Sequence, residues 1–346
     1  MVYLTPVLAL VLTLITGMII FAILGKDPLV ALYTYFIQPL SSANGFAELA
    51  VKATPLVMIG IGLALGFRAN VWNIGAEGQF TMGAIAGGGL ALLYYDSDNV
   101  LLLPAMIVAG ALGGMAWAAI PAWLKTRFNA NEILTSLMLT YVAILFLSYL
   151  VHGPWRDPEG FNFPESRMFP DAGTMPVLVE GTRMHFGAIL ALLAVVGGWL
   201  ILAKSLIGFQ LRVIGVAPVA ARYVGFKEKR LIWFVLLLSG GLAGVAGVSE
   251  VSGPIGQLIP TISPGYGFTA IIVAFLGRLH PVGVLLAGLV MALTYIGGET
   301  AQIEIGLPAA VAGIFQGIIL FYLLACDVLN LYRIRFGWRV HHGEAA

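Results

Sequence analysis

Two stretches hold most of the residues that could do chemistry in this 346-residue chain. The first, Asn70 to Gly83, reads NVWNIGAEGQFTMG and gathers Trp72, Asn73, Glu77 and Gln79. The second, Val251 to Phe268, reads VSGPIGQLIPTISPGYGF and holds Gln257, Tyr266 and Phe268, with Glu250 just before it. Amides and carboxylates exchange hydrogen bonds and aromatic faces stack, so the chemistry open to these sets is transient binding of a small polar solute. Glu77 has a second reading, as a carboxylate at a helix N-terminus that holds an inner gate closed. Bond-breaking chemistry lacks its groupings. No Ser/His/Asp set, metal-ligand spacing or carboxylate pair stands out, and His341 and His342 sit in a polar tail where solvation is expected. Neither a metal site nor enzymatic activity is expected. Gly25-Lys26 is followed by Asp27 and lacks the glycine spacing of a phosphate loop, so nucleotide hydrolysis has no motif here either.

A third stretch, Lys204 to Arg230, is basic and amphipathic, KSLIGFQLRVIGVAPVAARYVGFKEKR. Its cations Lys204, Arg212, Arg222, Lys227, Lys229 and Arg230 would each cost about 2.5 to 3.5 kcal/mol in hydrocarbon, which places the segment in water. It reads as a short helix, a break and a second short helix. Pro218 suits a first helical turn, and Gly208, Gly215 and Gly225 allow tight turns.

The elements that must position these stretches are apolar helices. The chain is 60% hydrophobic and 10% charged, with mean hydropathy +0.95, which excludes a soluble domain and predicts an all-α polytopic membrane protein. A net charge of +1, with basic residues spread over loops and not gathered on one polar face, gives no sign of a nucleic-acid partner, and membrane lipid is the expected surrounding of the apolar helices. A bilayer core of roughly 30 Å needs about 20 residues per helix, and about ten transmembrane helices follow. They run near 4–24, 46–66, 79–95, 101–124, 132–151, 185–203, 231–250, 266–278, 281–299 and 308–326. The first span lacks a positive leader and a small-residue cleavage site, so it is expected to be retained. A folded outer loop is expected at about 152–184, rich in proline and aromatics, and the cytoplasmic loop at about 204–230.

Basic residues set the orientation. With the N-terminus inside, the inner loops hold Arg68, Lys125, Arg127, the six cations above, Arg278, Arg333, Arg335 and Arg339, thirteen of eighteen; the outer loops hold Lys26, Arg156, Arg167 and Arg183. That bias puts both termini in the cytoplasm. Lys52 falls inside a span, where Glu48, four residues earlier, is its expected partner. Among 43 glycines, Gly62/Gly66, Gly83/Gly87, Gly240/Gly244 and Gly313/Gly317 are spaced for close helix packing. Five spans separate the two polar stretches, and an odd number implies two inverted-topology halves with a path at their interface. Cys326 has no partner for an internal disulfide and is expected to pack as a small hydrophobe.

Four segments in order, NVWNIGAEGQFTMGAIAG, FNANEILTSLMLTYVA (Phe128 to Ala143), IGFQLRVIGVAPVAARYVGF and GPIGQLIPTISPGYGFTAIIVAFLGRLHPVG, closely resemble permease subunits of bacterial ABC importers. The resemblance runs from about Pro55 to the end of the tenth span. The most similar group handles nucleosides and simple sugars, related to the ribose and branched-chain amino acid permeases. It implies a single permease domain over 1–346 in the inner membrane, a second permease subunit (homodimer or heterodimer), an ATP-binding subunit carrying ATP and Mg, and an extracytoplasmic substrate-binding protein. It assigns the coupling element that docks on the ATPase to Gly208, Arg212, Gly215, Pro218, Ala221, Arg222, Tyr223 and Gly225. By resemblance the solute is a nucleoside, with simple sugars or branched-chain amino acids as alternatives. Leu238 to Leu242, LSGGL, resembles the signature sequence of ABC ATPases but lies within an apolar span, so helix packing is expected of it. A different class, an ion-coupled secondary transporter, would need an intramembrane carboxylate relay, and the span interiors contain almost no carboxylates.

Overall fold

The computed structural model describes residues 4–331, with side chains over 7–326. Arg333, Arg335, Arg339, His341, His342 and both extreme termini lie outside the described residues. The helices are α1 Leu4–Ile23, α2 Pro28–Leu32, α3 Ala43–Arg68, α4 Ala76–Leu93, α5 Leu102–Phe128, α6 Glu132–His152, α7 Gly187–Lys204, α8 Leu206–Val216, α9 Pro218–Tyr223, α10 Glu228–Glu250, α11 Tyr266–Leu276, α12 Pro281–Ile305 and α13 Ala310–Leu331. Each of the ten apolar segments carries a helix, and the basic loop folds into α8 and α9 around Pro218. No strand occurs among the described residues.

Among the described residues six helices, α3, α5, α6, α7, α10 with its extension to Ile255, and α12, are long and apolar enough to cross a membrane. The expected eighth span is shorter than a crossing. α11 has 11 residues, a rise of about 16 Å, half of a bilayer core.

Central α3 is buried along most of its length, with α7, α10, α11 and α12 around it. Glycine sets the closest approaches. A Cβ on Gly83 would lie 2.2 Å from the Gly244 Cα, one on Gly244 would lie 2.1 Å from the Gly110 carbonyl oxygen, and one on Gly114 would lie 2.1 Å from that of Gly240. The seam therefore joins α4, α5 and α10, and the expected pair Gly240/Gly244 meets the pair Gly110/Gly114 on α5. LSGGL is part of this packing. A Cβ on Gly62 would lie 2.8 Å from the Ser239 Cα, whereas Gly313 and Gly317 have open space beside them and form no seam within the chain. Cys326 is buried.

The segment between α6 and α7 folds back as a strap along the chain that leaves α10. Ser166 N–H donates to the Leu258 carbonyl (2.9 Å), Phe169 N–H to Gly256 (2.8 Å) and Met175 N–H to Ser252 (2.7 Å). Glu48 and Lys52 do not pair with each other. The Arg183 guanidinium takes both Glu48 oxygens (2.8 and 2.7 Å), and Lys52 Nζ reaches Glu299 Oε1 on α12 at 3.0 Å. Neighbours on one helix face lost to partners on other elements, because each carboxylate found a cation that the tertiary fold brings closer.

Candidate functional site

The two polar stretches meet. α4 and α11 both begin in mid-bundle after irregular chain, and their N-termini abut so closely that a Cβ on Gly267 would lie 2.3 Å from the Glu77 nitrogen. The buried Glu77 carboxylate accepts the Gly267 N–H at 2.6 Å, with Ser263 close by. Helix N-termini present unpaired N–H groups and a positive dipole end, and this carboxylate bonds one such group of α11 while lying at the positive ends of both helices. The chain can reach this geometry because Gly265, at φ +97°, turns into α11, and Ser263 Oγ accepts the Gly265 and Tyr266 N–H groups at 3.1 and 3.0 Å.

Around this junction lies a buried polar and aromatic lining. The Tyr266 ring stands edge-on to Phe80 (6.2 Å) and Tyr295 (5.6 Å). Thr269 Oγ1 shares a 2.7 Å bond with the Tyr295 hydroxyl and donates to Gln316 Oε1 at 3.2 Å. Glu250, at the end of α10, is buried beside Tyr266 and within electrostatic reach of Lys52 and Arg183. Two carboxylates thus lie inside the bundle, more than the span interiors were expected to hold, because α4 begins at Ala76 and takes Glu77 into its first turn.

The other expected path residues occupy different surroundings. Asn73 and Gln79 are buried and close on each other: Asn73 Nδ2 donates to Gln79 Oε1 (2.7 Å) and to Ser239 Oγ (2.9 Å), while Asn73 Oδ1 accepts from Gln79 Nε2 (3.0 Å) and Gly75 N–H (3.1 Å). They lock the turn into α4. Trp72 stacks near Phe67 and Phe275 and donates its indole N–H to Asn70 Oδ1 at 3.0 Å. Gln257 Nε2 donates to Glu165 Oε2 in the strap at 2.9 Å, and Phe268 is turned to the surface of the chain. The NEILTSL segment is built into the scaffold as well. Asn131 caps α6 by accepting the Ile133 N–H at 2.9 Å, Glu132 pairs with Lys125 across the α5–α6 turn, and Ser136 and Thr140 pack on Gly75 and Gly78.

At the end of the bundle that carries Arg68, α8 and α9 form a knob. Ser205 caps α8 through the Gly208 N–H (3.1 Å), and Gly208 lets α8 fold tightly against the last turn of α7, where a Cβ would lie 2.2 Å from the Ile201 carbonyl oxygen. Gly215 points inward: a Cβ there would lie 2.0 Å from the Arg68 carbonyl oxygen. Arg212 turns back to donate to the Leu202 carbonyl at 2.7 Å, Arg222 makes a two-point pair with Glu228 (2.9 and 2.8 Å), and Ala221 is buried. Gly225, at φ +86°, ends the knob. Outward it presents an apolar patch, Val216 (87% exposed), Tyr223 (89%), Val224 (70%) and Val219 (64%) with Pro218, flanked by the exposed cations Arg212, Arg222, Lys227, Lys229 and Arg230.

Residues 45–324 match the family described as the permease component of the branched-chain amino acid transport system. The chain belongs to this permease family. It is 38% identical over 342 residues to the glucose ABC transporter permease protein of Haloferax volcanii, covering 96% of this chain and 90% of that one. It is 31% identical to the guanosine ABC transporter permease protein of Bacillus subtilis (96% and 94% covered) and 26% identical to a nucleoside ABC transporter permease protein of Lactococcus lactis (95% and 92%). No solved structure shows a significant match. The chain is accordingly a multi-pass permease of the cytoplasmic membrane, a class in which ATP is hydrolysed by a partner. Residues of the permease that sequence reading passed over are Thr269, Tyr295 and Gln316, a hydroxyl and amide row in apolar helices, and Val216, Val219 and Val224, apolar positions in a segment that must lie in water. Both patterns were visible as polar residues in oil and oily residues in water.

Proposed function

We propose that this permease is one half of the translocation unit of an ATP-driven importer, working by alternating access through about ten membrane helices, α11 entering without crossing, arranged in two inverted halves. Its path runs past the Glu77–Gly267 junction and the Tyr266, Tyr295, Thr269 and Glu250 lining. The observation that carries the reading is the junction itself: two helices starting in mid-bundle, from the two polar stretches that five spans separate, with a buried carboxylate clasped between them. Separation of α4 from α11 would open the junction and expose stacking and hydrogen-bonding groups suited to a base and a ribose. Glu77 is then a gate residue and the aromatic lining is the surface the solute passes.

The solute we propose is a nucleoside, in line with the relatives named for guanosine and nucleosides. The 38%-identical relative named for glucose favours a simple sugar as the second reading, and the family description keeps branched-chain amino acids as a third. The partners are an ATP-binding subunit that supplies ATP and Mg, a second permease subunit, a heterodimer by preference, and an extracytoplasmic binding protein. The knob at Val216, Val219, Tyr223 and Val224, with the exposed Arg212, Arg222 and Gly225 beside them, is the docking surface for the ATPase, and Gly208, Gly215 and Ala221 shape it from behind. The test is uptake of labelled guanosine and labelled glucose into proteoliposomes holding the full complex, with and without internal ATP. ATP-dependent guanosine uptake that Glu77→Ala abolishes is expected. Glucose uptake alone would transfer the reading to sugars, and ATP-independent uptake driven by an ion gradient would overturn it.

A further inference from the structure

A cavity of about 620 Å³ opens between the last turn of α4 and the start of the strap, at the end of the bundle opposite the knob. Leu92 and Leu93 form one wall, and Trp155, Arg156, Pro158 and Arg167 form the other. The indole of Trp155 rests on Gly89, where a Cβ would come within 2.6 Å of the ring, so the glycine admits the aromatic wall. The charges in this cavity are only partly balanced by the chain. Arg156 is only half-buried, and its side chain has no hydrogen-bond or ion-pair partner among the described residues. Arg167 lies over the Tyr95 ring at 5.4 Å, and its ion-pair contact, Asp157, is 3.9 Å away. Two guanidinium groups thus face a space whose opposite wall is leucine.

We propose that this cavity holds the phosphate of an anionic phospholipid headgroup. Guanidinium groups match phosphate oxygens in geometry and charge, and a phosphodiester asks for donors at one end and an apolar surface for its glycerol and first methylenes at the other. Both are present. Leu93 is 74% exposed, and α6, whose end leads into Pro154, presents Leu145 and Tyr149 to the surroundings, so an apolar surface continues from the cavity into the bilayer. Tyr94, Tyr95 and Trp155 place the site at headgroup depth, since such amphipathic rings gather at the membrane–water boundary. A soluble acidic partner would use the arginines but would have no use for the leucine wall. The inference rests on the chain lying in a membrane and not on the solute or the gate, so its failure leaves the transport reading untouched.

The experiment is native mass spectrometry of the full complex after exchange into detergent with either phosphatidylglycerol or phosphatidylcholine. The intact protein is expected to retain phosphatidylglycerol preferentially, and retention should fall about fivefold for each arginine removed, in Arg156→Gln, Arg167→Gln and the double variant. Lys26→Gln, which removes a charge elsewhere, should retain lipid as before. If the double variant fails to assemble, Arg156→Gln alone decides, because that side chain has no internal partner to lose. Equal phosphatidylglycerol retention in the intact protein and in Arg156→Gln would overturn the proposal. So would loss of binding-protein association in Arg156→Gln and Arg167→Gln with phosphatidylglycerol retention unchanged, which would assign the arginines to a protein partner.

Discussion

The two ends of this bundle are held together in opposite ways. At the strap end, charges cross between elements: Arg183 binds Glu48 on α3, Lys52 binds Glu299 on α12, and Gln257 binds Glu165. At the knob end the polar contacts of α8 and α9 are local, Arg212 to the helix just before and Arg222 to Glu228 just after, and the outward surface sets exposed valine and tyrosine among exposed cations. Both ends expose apolar side chains, Phe161, Phe163 and Met168 at the strap and Val216 and Tyr223 at the knob, but only the strap end ties distant helices together through ion pairs. An exposed apolar patch in water is a mark of a protein-contact surface, and the knob carries its patch on two short helices whose polar contacts are local, which fits the docking role proposed for it.

The glycine seam underlies both ends, and breaking it should erase the contrast altogether. Gly244→Leu would drive a side chain into the Gly110 backbone, and overpacking of this kind costs about 1 to 3 kcal/mol or more. Low yield and a lowered melting temperature are expected, whereas Gly317→Leu, which meets open space, should express normally. Next in size is the link between the ends. Glu77→Ala leaves the Gly267 N–H buried without an acceptor, a cost of about 1 to 3 kcal/mol, while Glu77→Gln keeps an acceptor oxygen. The melting temperature should therefore drop in the alanine variant and hold closer to the parent in the glutamine variant. Smallest is the strap end itself. Lys52→Gln should cost about 1 kcal/mol, since Glu299 is half-exposed, and Lys52→Gln with Glu299→Gln should recover part of it. A loss unaffected by salt would show that the pair is not the exposed bridge its geometry describes.

Much of the frame was legible in the sequence because hydropathy is a local property. Ten apolar segments, the strap and the helix–break–helix of the basic loop all follow from runs of residue type, as does the half of the seam on Gly240 and Gly244. What was not legible depends on which distant residue arrives. Spacing by four paired Glu48 with Lys52, yet Arg183 and Glu299 arrive from far along the chain. Gly215 read as a surface allowance and proves to be the point where α8 meets the end of α3. Asn73 and Gln79 read as solute contacts, but six residues apart across a turn they satisfy each other first. Glu77 was placed with the first stretch alone, because nothing local reveals that Gly267 is its partner.

The central claim is that the knob is the surface through which a separate ATPase drives the gate, and Tyr223→Asp tests it most directly. Tyr223 is 89% exposed and has no hydrogen-bond partner among the described residues, so the isolated permease should melt within about 0.5 kcal/mol of the parent. Docked against a partner, the new carboxylate would be buried unpaired, at a cost of about 2 to 5 kcal/mol. The measurement is co-purification of the ATP-binding subunit together with ATP-dependent uptake. Loss of both from a permease of parental stability is the predicted result; full uptake with a normally bound ATPase would contradict the account.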